Sequence, residues 1–196
     1  MKINEIFYSL QGEGRHAGEA ATFVRFSGCN LRCPFCDTGH ETGRPISCEE
    51  IVERVTENPA RLVVLTGGEP SLFLTDELVA SLHAAGKYIA VETNGTHPLP
   101  AGIDWITLSP KTGMTEGGER ILLPRADEIK VVNVGQPLSP YFDMPQRAEA
   151  TLMYLQPCFT VDAERYAANV ADTVAKVLAD PRWRLSAQLH RYLSIP

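Results

Sequence analysis

Cys29, Cys33 and Cys36 fall within one short stretch, SGCNLRCPFCDT (residues 27–38), and no fourth cysteine follows at a comparable spacing. Thiolates this close together hold metals or clusters. Three arrangements suit them. A structural zinc site closes a tetrahedron of four ligands, usually as C-x2-C pairs, and here would need His40 or Cys48 to complete it. A ferredoxin-type carrier also uses four thiolates, in a C-x2-C-x2-C-x3-C run that differs from the C-x3-C-x2-C found here. In the third arrangement three thiolates hold a 4Fe-4S cluster, and the iron without a protein ligand is open to a small molecule. Cys48 opens a predicted helix and Cys158 follows the last predicted strand; both read as small half-buried residues outside the ligand set.

These residues need a scaffold. Six apolar, β-rich runs supply one: 21–26, 61–67, 88–95, 104–110, 128–132 and 151–157. Their near-continuous hydrophobicity fits strands buried on both faces, hence a parallel sheet in an α/β protein. Helical periodicity is clear over 47–58, where Ser47 and Glu50 form a capping box, over 75–86, which stops at Gly86, and over 162–181, which ends at Pro181. The eight-residue THPLPAGI between the third and fourth runs is too short for a crossover helix, and 111–127 and 133–150 read as loops. The expected fold is therefore a partial TIM-type barrel of about six parallel strands with a reduced helix complement. Turns TGGEP, ETNG, SPK and QPC close four of the runs, and carboxyl-end turns of this kind face one mouth.

The chain has 196 residues and a formal net charge of −6. Its length suits one domain over 1–196. The acidic balance and the absence of a Lys/Arg run argue against nucleic acid as a partner. The N-terminus lacks a signal-peptide pattern and no run of about 18 apolar residues could span a bilayer. The expected setting is the cytoplasm, away from membranes, where five cysteines stay reduced.

The cysteine loop after a first strand, followed by GGEP after the second, resembles the radical S-adenosylmethionine (SAM) superfamily. EIFYSLQGEG, FVRFSGCNLRC, CDT, TGGEP, VETNG, LSPK, EIKVV and the terminal QLHRYLSIP together resemble its 7-carboxy-7-deazaguanine synthase family. That resemblance implies conversion of 6-carboxy-5,6,7,8-tetrahydropterin to 7-carboxy-7-deazaguanine with loss of ammonia, on the route to queuosine and other deazapurines. It also implies a 4Fe-4S cluster on Cys29, Cys33 and Cys36, SAM on its open iron, Mg2+ at Thr38, an electron donor such as flavodoxin or ferredoxin, and a homodimer.

Residue by residue, the resemblance assigns SAM contacts to Phe35, Cys36 and Asp37, to Gly68 and Glu69, to Asn94, to Ser109, Pro110 and Lys111, and to Gln156, Pro157, Cys158 and Phe159. It assigns pterin contacts to Leu10, Gln11, Gly12, Arg25, Thr66 and Pro196, with Glu13 and His190 lying in the same stretches. Arg25 suits a bidentate grip on the substrate carboxylate. A carboxylate at Pro196 suits the paired N–H donors of the pterin's amidine edge. Some family members carry an insertion between the first two cysteines, which this chain lacks. Two rivals are a glycyl-radical activating enzyme, which acts on a protein partner and needs no pterin site, and a non-catalytic zinc-binding module.

Overall fold

A computed structural model of the chain describes residues 1–39 and 42–196; His40, the candidate fourth zinc ligand, lies outside them. The strands are β1 (Lys2–Leu10), β2 (Ala20–Phe26), β3 (Arg44–Pro45), β4 (Leu62–Gly67), β5 (Tyr88–Thr93), β6 (Trp105–Leu108), β7 (Glu128–Asn133), β8 (Leu152–Pro157) and β9 (Arg184–Leu185). The helices are α1 (Cys48–Thr56), α2 (Asp76–Ala84), α3 (Ala163–Ala179) and α4 (Leu189–Leu193). All strands belong to one sheet ordered β3-β1-β2-β4-β5-β6-β7-β8-β9. From β2 to β9 every neighbour is parallel, whereas β1 joins β2 and β3 antiparallel. With β3 and β9 at its two edges the sheet is an open, partial barrel.

Period-2 alternation explains why the strand runs are apolar throughout. Val63, Leu65, Ile89 and Val91 face the main core, where they meet Ile51 and Val55 of α1 and Leu78 and Leu82 of α2. Leu62, Val64 and Ala90 face the other way, with Ala21 and Phe23, into the barrel. Caps fix where the helices begin. Ser47 Oγ accepts from Glu50 N at 3.2 Å, Thr75 Oγ1 from Leu78 N at 3.2 Å and Asp162 Oδ1 from Arg165 N at 3.0 Å. The Glu50 carboxylate turns instead to Arg44 at 2.9 Å and Arg54 at 3.2 Å, so the reciprocal half of the capping box is not made.

All six expected strands form, no helix separates β5 from β6, and the two expected loops hold only a 3-10 turn over Ser139–Asp143. Four elements differ from expectation, among them the two-residue edge strands β3 and β9, too short to show an alternation. β1 carries no legible strand pattern, because a register shift between Ile3 and Glu5 breaks its alternation, leaving Ile3 and Ile6 packed on the same core. The five-residue α4 is too short to show a helical period.

Candidate active site

A cleft of about 450 Å3 opens where the parallel strands end, and it is lined by every cluster, SAM, magnesium and pterin candidate named above except Pro110, Pro157 and Cys158; Cys48, a candidate for zinc, also lies away from it. One wall is the loop that leaves β2. Cys29 and Cys33 are half-buried and Cys36 is exposed, with a Cys36 N to Cys33 O turn of 3.1 Å between the last two. Burial pushes the Cys29 and Cys33 thiols above their ordinary value, and at Cys33 the Lys111 ammonium opposes that rise. Among the described residues no three His, Cys, Asp or Glu side chains gather around one metal ion. Three free thiols on one loop are a donor set that fits an iron-sulfur cluster.

The turn after β4 packs directly against the root of that loop. Glu69 N donates to Gly28 O at 2.9 Å, and a Cβ added at Gly68 would stand 2.0 Å from the same carbonyl, so only glycine allows the approach. The Glu69 side chain is buried and fully engaged: it accepts from Thr93 Oγ1 at 2.5 Å, Asn94 N at 2.7 Å and Ser71 N at 3.0 Å. It thereby joins the ends of β4 and β5. Lys111, half-buried and with its pKa lowered by desolvation, reaches Ser109 Oγ at 2.6 Å and Ser109 O at 2.8 Å. Asp37 accepts from Arg191 at 2.5 Å and from Gln188 at 3.2 Å, and the Arg191 guanidinium lies 3.3 Å over the Phe159 ring. Thr38 Oγ1 stands 3.5 Å from Asp37 Oδ1.

The opposite wall joins segments from the two ends of the sequence. Leu189 N donates to Gly12 O at 3.0 Å, and a Cβ at Gly12 would meet His190 Nδ1 at 2.4 Å. Ser9 Oγ donates to Pro196 O at 3.0 Å. Burial lowers the His190 pKa, which favours the neutral ring. Arg25 and Thr66 are register partners on β2 and β4.

The base of the cleft is a buried charge network. Lys130 Nζ lies 2.7 Å from Glu13 Oε2 and 2.6 Å from Glu92 Oε2. Gln188 and Gln156 donate to Glu13 Oε1 at 2.8 and 3.2 Å, and Gln11 to Glu92 Oε1 at 3.3 Å. Burial alone would raise the Glu13 pKa, but Lys130 and the Gln188 amide bring it down to about 2. At Glu92 burial prevails and the pKa is raised. Lys130 is held firmly protonated, since the surrounding carboxylates outweigh its own desolvation.

The sequence reading named Glu13 but missed Lys130, Glu92, Gln188 and Arg191. Lys130 and Glu92 did leave a signal. Each is a charge inside a strand run that must be buried on both faces, and such a charge demands a partner.

The radical SAM superfamily model matches residues 23–132. A 7-carboxy-7-deazaguanine synthase of Bacteroides thetaiotaomicron is 52% identical over 194 residues, spanning 99% of this chain and 98% of that protein. One from Caulobacter vibrioides is 43% identical over 223 residues, again spanning 99% and 98%. The crystal structure of QueE from Escherichia coli is similar with a TM-score of 0.77 at 29% identity, covering 94% of this chain and 92% of that one.

Proposed function

The chain belongs to the radical SAM superfamily and, within it, to the 7-carboxy-7-deazaguanine synthase family, and from that premise we propose the chemistry of its cleft. The enzyme converts 6-carboxy-5,6,7,8-tetrahydropterin to 7-carboxy-7-deazaguanine with release of ammonia, as a carbon–nitrogen lyase. One observation supports this above the others: a single cleft has the three-cysteine loop on one wall and the Arg25, Glu13 and Lys130 charges on the other side and base. A protein-activating enzyme has no use for that second set, and a zinc-binding module would use the thiols but not the charges.

Cys29, Cys33 and Cys36 would hold the 4Fe-4S cluster, and the Gly68 backbone, Asn94, Ser109, Lys111, Gln156 and Phe159 would contact SAM. When bound, cluster and SAM supply the one-electron chemistry that removes the hydrogen at C6 of the pterin. The remaining work belongs to the polypeptide. Leu10, Gln11, Gly12, Thr66, His190 and Pro196 enclose the pterin, and Arg25 grips its carboxylate. Glu13, ionised at neutral pH, holds a fixed negative charge beside the amidine edge, and neutral His190 can donate or accept without adding charge. Phe159 under Arg191 helps to exclude water from the mouth. A magnesium ion at Thr38 would take one oxygen from this chain and the rest from substrate and water, a habit of that ion. A flavodoxin or ferredoxin as electron donor, a homodimeric working form and a cytoplasmic setting complete the reading; among the described residues no helix is long and apolar enough to cross a membrane.

The test is anaerobic cluster reconstitution followed by incubation with SAM, Mg2+, reductant and the pterin. Mass spectrometry should detect 7-carboxy-7-deazaguanine with the native chain and none with Cys33→Ala. SAM cleavage without that product would redirect the substrate search and overturn the reading.

A further inference from the structure

Arg25 and Glu5 face each other across the β1–β2 ladder only because β1 carries an irregularity. Ile3 pairs with Phe26, and regular antiparallel counting would set Asn4 opposite Arg25; the register shift between Ile3 and Glu5 sets Glu5 there instead. Extra residues of this kind re-aim side chains beside active sites. The outcome is specific: Glu5 Oε1 accepts from Arg25 Nε at 2.7 Å, and both side chains line the cleft. Among the described residues the two terminal nitrogens of Arg25 take no hydrogen bond. A second restraint comes from the same strand, since the guanidinium carbon lies 5.7 Å over the Phe7 ring, which stacks on Phe23 at 4.8 Å and 5°.

We propose that Glu5 is a positioning residue that fixes which edge of the Arg25 guanidinium meets the substrate carboxylate. The proposal rests on the reading of Arg25 given above. A guanidinium offers a carboxylate two bidentate edges, one using Nε and one Nη, the other using both Nη atoms. Glu5 occupies Nε, so only the terminal pair is left for substrate, and the carboxylate is held end-on.

The experiment measures KM and kcat of the reconstituted holoenzyme for the 6-carboxylated pterin, together with inhibition by tetrahydropterin lacking the carboxylate. Glu5→Ala should raise KM about tenfold with kcat nearly constant, the size expected when one charge-assisted hydrogen bond is misaligned. Glu5→Gln, which keeps an oxygen for Nε, should recover most of that loss. Inhibition by the carboxylate-free pterin should not change, and in an Arg25→Ala background Glu5→Ala should add nothing. If Arg25→Ala raises KM while Glu5→Ala leaves it unchanged, lowers it, or weakens the carboxylate-free pterin equally, the proposal is overturned and the Arg25 assignment stands. If Arg25→Ala leaves KM unchanged, the Arg25 assignment fails and the proposal falls with it.

Discussion

The two sides of the cleft are built on opposite plans. At the cysteine wall the chemistry sits on a loop whose thiols bond only weakly to the polypeptide: Cys29 Sγ accepts from Leu31 N at 3.4 Å, and Cys36 Sγ reaches Thr38 O at 3.8 Å. At the base, Lys130 is clamped between two carboxylates that themselves receive three glutamine amides. The wall keeps its donors available for a group that arrives later, and the base is complete before any ligand binds. A site that must hold a cluster and also orient a substrate has reason to separate these demands. Preorganised charge belongs where the substrate docks, and open ligands where the cofactor is assembled.

That contrast can be broken most decisively by removing one member from each side. Lys130→Met leaves Glu13 and Glu92 buried without their cation and should cost about 3–5 kcal/mol of folding stability. Cys33→Ala removes a half-buried thiol and should cost about 1 kcal/mol, despite ending turnover. Denaturant unfolding of both apo variants checks this; equal losses would mean the two sides are built alike.

A smaller effect concerns Glu128, below the base on the strand that carries Lys130. Its carboxylate is 1% exposed, Oε2 accepts from Arg15 N at 2.9 Å, and burial raises its pKa to about 7 from 4.5. The folded chain holds this proton more tightly than the unfolded one. Its stabilising effect is therefore full below pH 4.5 and lost as pH rises through about 7. Glu128→Gln has no such titration, so relative to it the native chain should lose about 2–3 kcal/mol between pH 4.5 and 8. Parallel stability curves for the two would mean that burial does not raise the Glu128 pKa.

The wall was legible in the sequence because its chemistry is contiguous. Cys29 to Cys36 fit in one loop, and Gly67–Gly68 announce a close approach that the Gly28 carbonyl makes explicit. The six parallel strands were legible for a similarly local reason, since burial on both faces leaves an unbroken apolar run. The base was not, because Glu13, Glu92, Lys130 and Gln188 come from four distant segments and become neighbours only when the sheet curls. β1 escaped notice as a strand for the same reason that it matters: the irregularity near Asn4 that spoils its alternation is what turns Glu5 toward Arg25.

In the proposed reading one cleft brings the pterin over the base within reach of the SAM at the wall. That proximity is tested most directly by placing deuterium at C6 of the pterin and analysing SAM recovered after turnover. Label in the recovered SAM, or in the 5′-deoxyadenosine formed from it, is the predicted result. Label found only in water, with none in either, would mean that the hydrogen leaves by a protein group and that the two sides do not share a reaction.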